Sequence, residues 1–328
     1  MKAVYITNFG VVEGLETREV PDPRKPTGNE ILVRVRAAGL NRADLLQVRG
    51  LYPPPPGYSP NIPGLEFAGE VAAIGNGVKN WSVGERVFGI TAGEAQAEFL
   101  LTDESLIVRV PDNLSFTEAA AVPEAFITAH DAIFTNGELK TGETLLVHAV
   151  GSGVGLAALQ LAKAKGAIVI GTSRTADKLD RCSEFGLDTG ILTEGSSDFS
   201  TIVKEKTEGR GVEVILDLVG AAYFTQNLAS LALKGRLILV GLTSGRTAEF
   251  DLGLALQKRA KIIGTVLRAR PVDEKADATR GFADDVVPLL ESGAIRPNLD
   301  RVFQAEEVVA AYKYLESNES FGKVVLNF

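Results

Sequence analysis

Residues 148–155 read HAVGSGVG, and Gly151, Gly153 and Gly155 are spaced as in a loop built to receive phosphate. A pyrophosphate needs backbone N–H groups and the positive end of a helix, with no Cβ in the way. The spacing is G-x-G-x-G rather than the full dinucleotide fingerprint, so taken alone it also fits a tight strand-to-helix turn without ligand. A second group lies about 20 residues on, where nicotinamide-nucleotide sites recognise the adenosine ribose. There the chain reads GTSRTADK, with Ser173 where an NAD site places Asp or Glu, Arg174 and Lys178 close by, and no carboxylate before Asp177. A 2′-phosphate would meet a hydroxyl and two cations, which favours NADPH over NADH. The alternative is that both cations only solvate a helix start, but cations there oppose the helix dipole.

Other chemistries lack their residues. Cys182 is the single cysteine, and His130 and His148 are the only histidines, with no zinc-ligand spacing among them. His148 ends an apolar strand and His130 lies in the helix-like EAFITAHDAI, so both read as packed, hydrogen-bonded residues. Cys182, among charged neighbours and without a redox motif, reads as structural. No G-x-S-x-G elbow supports a hydrolase.

The elements that must position the loop are legible. The first third is β-rich: ILVRVRAAGL alternates, and GEVAAIG and GERVFGI are short strands between glycine turns, which suggests a partly open barrel. From about residue 125 strands alternate with helices: TLLVHAV, AIVIGTS, DTGIL, VEVILDLVG, RLILVGL and KIIGTVL are six strands. LAALQLAKAKG, TADKLDRCSEFG, TIVKEKTEG and FTQNLASLALKG are helices between them. Runs apolar on both faces imply a parallel sheet covered on both sides, the doubly wound dinucleotide-binding pattern. TRGFADDVVPLLESG and EEVVAAYKYLES then read as amphipathic helices and GKVVLNF as a strand, so the chain returns to its first domain. The expected domains are 1–124 with 266–328, and 125–265.

A net charge of −8 argues against general affinity for nucleic acid or anionic lipid. No apolar run approaches the ~20 residues that span a bilayer. With one cysteine and no apolar leader core, the expected home is the cytoplasm.

GLNRADLLQVRGLYPPPPG, PGLEFAGEV, VGERVFG, AAAVPEAFITAHDAI, HAVGSGVGLAALQLAKAKGA and LDLVGAAYF together resemble the zinc-independent quinone oxidoreductases. These belong to the medium-chain dehydrogenase/reductase superfamily, and the features are most similar to the tumour-suppressor-inducible branch. The resemblance implies a GroES-like domain from both chain ends, a Rossmann domain between, a cleft at their junction, and a homodimer joined through the last Rossmann strand. Zinc members carry a cysteine at the position of Asn41 and a histidine at that of Leu65; both are replaced here. The resemblance puts Asn41 beside the nicotinamide and the substrate carbonyl, Tyr52 at the cleft mouth and Thr128 near the nicotinamide. It puts Ser152, Gly153 and Val154, after Gly151, at the pyrophosphate, and Ser173, Arg174 and Lys178 at the 2′-phosphate. Backbone around Gly241–Leu242 and Val266–Leu267 holds the carboxamide end. Three positions depart from the pattern: Leu46 and Thr193 stand where relatives have tyrosines, and Gly151 where the nearest branch has a bulkier residue.

Each assignment has a plainer reading. Asn41 could cap the helix-like RADLLQVRG, Tyr52 could pack under the stiff PPPPG run, and Arg268 and Arg270 could be solvated. Glu66 is expected to be a structural carboxylate tied to a neighbouring loop. The function expected is NADPH-dependent, zinc-independent reduction of quinones, with Asn41 and Tyr52 as the catalytic hydrogen-bond donors. The alternatives are an enoyl or alkenal double-bond reductase and a non-catalytic NADPH-binding protein.

Overall fold

The computed structural model describes residues 1–194 and 198–328. One unit, Met1–Ile127 with Leu267–Phe328, opens with the antiparallel strands β1 (Lys2–Ile6) and β2 (Leu15–Glu19). β3 (Glu30–Leu40) is the strand about which the next elements are arranged: α1 (Arg42–Val48), β4 (Glu66–Ile74), β5 (Arg86–Ile90), β6 (Phe99–Asp103) and β7 (Ile107–Arg109). The helices α2 (Phe116–Ala119) and α3 (Pro123–His130) end this stretch. One edge of β3 pairs with β4 over most of its length, through irregularities at Leu32/Val33 and Val35/Ala37. Bulges of this kind increase local twist. They let the opposite edge of β3 serve two partners: β6 along residues 30–34, and the last strand of the chain along 37–40. Alternation places Ile31, Val33 and Val35 in a core with Phe67, Val71, Val87 and Leu100.

The other unit, Thr128–Val266, is built on six parallel strands. In chain order they are β8 (Thr144–Val147), α4 (Gly153–Ala164), β9 (Ile168–Ser173), α5 (Ala176–Cys182), β10 (Thr189–Leu192) and α6 (Phe199–Lys206). Then come β11 (Val212–Asp217), α7 (Phe224–Ser230), β12 (Leu231–Leu239), α8 (Leu252–Lys258) and β13 (Lys261–Gly264). The sheet order β10-β9-β8-β11-β12-β13 is that of a doubly wound dinucleotide fold, with the reversal between β8 and β11. Leu145, Leu146 and Val147 are all fully buried, as a strand covered on both faces requires. Gly166, with φ +78, stops the chain after α4.

The remaining elements, α9 (Val272–Asp285), α10 (Val287–Glu291), β14 (Leu299–Gln304), α11 (Val308–Ser317) and β15 (Lys323–Asn327), complete the first unit. β15 runs antiparallel to β3, and β14 extends it in parallel, so the barrel sheet reads β14-β15-β3-β4-β5-β7. Tyr312 and Leu315 of α11 pack with Leu45 and Val48 of α1 in one core.

Three features differ from the sequence reading. TRGFADDVVPLLESG is not one helix: Pro288 has no N–H to give, and the chain starts α10 afresh after Val286. The helix expected over FTQNLASLALKG ends at Ser230, because Lys258 Nζ takes the carbonyls of Ala229 and Leu231 and the chain turns into β12. β1, β2, β6, β7 and α2 have no individual counterpart in that reading, and neither do α8 and β14. The last two are largely exposed and lack a clean apolar period.

A buried polar chain ties the C-terminal ends of three strands. Asn227 Nδ2 donates to Asp217 Oδ2 at 2.9 Å, which turns Asn227 Oδ1 toward His148 Nε2 at 2.6 Å. Nε2 therefore carries the proton, and Nδ1 accepts from the Thr172 hydroxyl at 2.9 Å. Asp217 Oδ1 accepts from the Val219 and Gly220 amides. The imidazole packs edge-on against Phe199 and Tyr223. Burial favours its neutral form and lowers its pKa, outweighing the pull of Asp217. Below about pH 6.5 the unfolded chain binds a proton that the folded chain resists. The stability this group contributes is therefore present above that pH and lost as pH falls. Urea midpoints at pH 7.5 and 5.0 should drop further in the parent than in His148→Gln; equal drops would remove His148 as the cause.

Candidate functional site

In the parallel unit, the sequence-predicted residues fall just past the C-terminal ends of the strands. Gly151, Ser152, Gly153 and Val154 follow β8, Ser173 ends β9, Gly241 and Leu242 follow β12, and Val266 follows β13. Because the strands are parallel, these positions gather along one edge of the sheet, where open α/β folds bind ligands. Thr128 lies on α3, and Leu267 is the first residue of the returning unit.

Ala149, at φ 49, starts the turn after β8, and Ser152 caps α4 by accepting from the Gly155 amide at 3.2 Å. A Cβ on Gly155 would stand 2.5 Å from the Ala149 carbonyl, so only glycine lets the helix pack this close to its loop. Among the described residues the amides of Gly153 and Val154 donate to no protein acceptor. Two unspent N–H groups at the start of a twelve-residue helix fit a phosphate. Ser173 is buried and its Oγ accepts from the Thr175 amide. Arg174 is exposed and makes no ion pair with a described residue, whereas Asp177 lies 3.9 Å from Arg181. Lys178 is half-buried on α5. Thr193 is buried and spends its N–H and hydroxyl on the Ser173 carbonyl. Cys182 is buried, and desolvation pushes its thiol up to about 12, which removes it as a nucleophile.

In the barrel unit, the polar residues converge on Glu66. Its backbone faces Gly39 of β3, and its side chain is fully buried. One carboxylate oxygen, Oε1, accepts from Asn41 Nδ2 at 2.8 Å and from Lys323 Nζ at 2.6 Å; Oε2 accepts from the Glu124 amide at 2.9 Å. Lys323, on β15, gives its other two N–H groups to the Leu40 carbonyl at 2.7 Å and Asn41 Oδ1 at 2.6 Å. Three donors thus meet three acceptors, which a buried ammonium requires. A Cβ on residue 39 would come within 2.5 Å of the Ala120 carbonyl, so glycine is needed where this carboxylate lies against β3. Leu65 beside it is 1% exposed and belongs to the packing.

Asn41 is the N-cap residue of α1, and its N–H donates to Asp44 Oδ2 at 2.7 Å. Its side-chain amide is held by Glu66 and Lys323, and one of its two N–H groups is left over on a half-exposed residue. Asp44 also accepts from the Gly64 amide. Burial raises its carboxyl to about 6, against the opposing pull of those amides, Arg268 and Lys323.

Arg268 is not solvated. It is 4% exposed, and Nε donates to the Ala92 carbonyl, Nη1 to the Tyr52 carbonyl and Nη2 to Gln47 Oε1. Its guanidinium lies 4.9 Å from the centre of the Tyr52 ring, so it fastens the Pro-rich loop to the barrel. The Tyr52 hydroxyl has no partner among the described residues, and burial weakens its acidity. Arg270 is half-exposed. The sequence reading also passed over Glu124 and Lys275. Glu124 is half-buried with no hydrogen bond to its carboxyl, and Lys275 is 4% exposed with none to its ammonium. Desolvation and then the Glu66 charge push Glu124 up to about 8; desolvation pulls Lys275 down. Glu124 lies in the apolar motif AAAVPEAFITAHDAI, where nothing marks its carboxyl, and Lys275 in DEKAD reads as an ordinary surface lysine.

Residues 27–131 match the alcohol dehydrogenase GroES-like domain, and residues 153–282 match the domain described as zinc-binding dehydrogenase. A quinone oxidoreductase of Pseudomonas aeruginosa is 33% identical over 99% of both chains. A mycobacterial protein solved in complex with NADPH is 30% identical, with a TM-score of 0.89 over the whole of both chains. The CurK enoyl reductase is 26% identical, with a TM-score of 0.86 over 99% of this chain and 98% of that one.

Replacing Lys323 by Met strands the Glu66 charge in the barrel, which should cost about 3–5 kcal/mol. Adding Glu66→Gln should restore part of that loss. Urea unfolding of the single and double variants checks it, and a loss below about 1 kcal/mol would mean that the pair is not held as described.

Proposed function

The chain belongs to the medium-chain dehydrogenase/reductase superfamily, and from that premise we propose that it is an NADPH-dependent quinone oxidoreductase working without zinc. The superfamily makes it an oxidoreductase; the acceptor, the preference for NADPH and the absence of zinc are our reading. The observation that carries the reading is the pair of unspent amides at Gly153 and Val154, together with Ser173 and the cation of Arg174, which pairs with no described residue.

The amides and the helix dipole would hold the pyrophosphate, and Ser173, Arg174 and Lys178 the 2′-phosphate. The bound nucleotide supplies a hydride. Thr128, the backbone at Gly241–Leu242 and that at Val266–Leu267 would orient its nicotinamide end. At the two positions where zinc relatives carry ligands stand an amide and a hydrocarbon, Asn41 and Leu65. Among the described residues no group of three or more His, Cys, Asp or Glu could hold a metal. On this reading the acceptor is polarised by hydrogen bonds, from the spare N–H of Asn41 and the unpartnered hydroxyl of Tyr52. A quinone needs no more, because it is already electrophilic and its product is aromatic. Glu66 and Lys323 hold Asn41 in place, so its geometry costs nothing to assemble during turnover. The second reading, reduction of an activated C=C, draws on the likeness to the CurK enoyl reductase and uses the same residues.

NADPH should bind at least about tenfold more tightly than NADH, since a charge-assisted bond contributes roughly 1.5–3 kcal/mol. Arg174→Ala should erase most of that ratio in a fluorescence titration; an unchanged ratio removes Arg174 from the site. Tyr52→Phe should slow turnover of 1,4-benzoquinone with NADPH while leaving the NADPH dissociation constant within about twofold, since the change deletes one hydrogen bond. Activity on 2-alkenals but on no quinone would select the second reading.

A further inference from the structure

Glu124 is tied to Glu66 through its amide, and five further ionisable groups of the barrel unit act on it or on its neighbours electrostatically. Asp44 comes from α1, Tyr52 from the Pro-rich loop, Glu124 from α3, Arg268 from the returning chain, Lys275 from α9 and Lys323 from β15. Most are spoken for. Glu66 and Lys323 neutralise each other, Asp44 is held by two amides, and Arg268 is spent on Ala92, Tyr52 and Gln47. The Glu124 carboxyl is different. Its own amide is fixed to Glu66 Oε2 at 2.9 Å, so the residue sits one carboxylate away from Asn41, yet its side chain bonds to nothing described. Lys275, a buried cation that feels the Glu124 charge, forms no ion pair with it among the described residues. A carboxyl held beside an ionised carboxylate and partly removed from water keeps its proton.

We propose that Glu124 is the proton donor of the reaction, giving the proton of its carboxylic acid to the reduced acceptor. This rests on the reductase reading above. Reduction of a quinone to a hydroquinone takes one hydride and one proton. The hydride brings both electrons from the reduced nicotinamide nucleotide. The carboxyl O–H of Glu124 breaks and a phenolic O–H forms on the product. Glu124 is left as a carboxylate, which water reprotonates because the side chain is half-exposed. Asn41 has no acidic proton and burial makes the Tyr52 hydroxyl a weaker acid still, so both donate hydrogen bonds but keep their protons, and Glu124 is the stronger acid left without a bonded partner among the described residues.

Two measurements test this. Infrared titration of the ligand-free protein should reveal a protonated carboxyl that disappears with a midpoint near 8 and is missing from Glu124→Gln. With NADPH and 1,4-benzoquinone, turnover should fall on the alkaline side of the same pH. Glu124→Gln should lower kcat about tenfold or more and abolish that limb, while NADPH binds as in the parent. Lys275→Met removes a facing cation and should move both the infrared midpoint and the limb to higher pH, which a purely structural role would not do. This variant and the infrared midpoint decide the matter even if Glu124→Gln fails to fold. A carboxyl that has lost its proton below pH 6, or a folded Glu124→Gln with the parent's kcat and pH profile, overturns the donor and leaves the reductase reading standing. Absence of NADPH oxidation by the parent with any acceptor overturns the reductase reading instead.

Discussion

A carboxylate with no exposed surface, Glu66, is the constraint on which the barrel unit rests. Its charge must be matched in place, and the match comes from Lys323, whose three N–H groups all find oxygen. Such a pair adds little net stability over a hydrocarbon pair of the same shape, but it tolerates no misplacement of either partner. It therefore fixes its neighbours: the rotamer of Asn41, the start of α3 through the Glu124 amide, and the register of β15 against the end of β3. Gly39 allows the close approach. The polar face proposed to meet the acceptor is thus set by an electrostatic requirement of the interior.

The parallel unit obeys a different logic. Its strands are mainly apolar on both faces, and the charges they carry tie them at their starts: Arg236 of β12 pairs with Glu143 and bonds to the Glu213 carbonyl, and Glu213 of β11 accepts from the Thr144 amide of β8. The edge where they end is specified by the chain His148–Asn227–Asp217 and by the glycines of the loop before α4. A neutral imidazole with both nitrogens committed holds β8, β9 and β11 together just where the loop to α4 begins. The amides of Gly153 and Val154 in that loop are left without a protein acceptor among the described residues.

How much is legible in the sequence depends on the range of the interactions. Six strands, the helices between them and the glycine-rich loop are local patterns, and the sheet has the order those patterns imply. β14 and α8 escape because their exposed residues carry no apolar period. Pro288 is visible, but the amphipathic pattern runs on across it and reads as one helix. At the site, Asn41, Glu66 and Tyr52 stand out through the resemblance. Lys323, Arg268, Glu124 and Lys275 do not, since each has significance only through partners far away in the chain. Arg268 meets Tyr52 and Gln47 across 216 and 221 positions, and in LRARPVDEK it looks like any surface cation.

The bond from Lys323 to the Leu40 carbonyl spans 283 positions, nearly the whole chain, and the intervening unit fills the middle of that span. Closing so long a loop from a disordered chain is entropically slow. Within the parallel unit, however, the Thr265 hydroxyl reaches Asp131 Oδ2, so residues near its two ends meet when it folds. A unit that folds early and brings its own ends together replaces well over a hundred flexible residues with a short rigid link. With that unit folded, the closure that remains for the barrel is that of a much shorter chain.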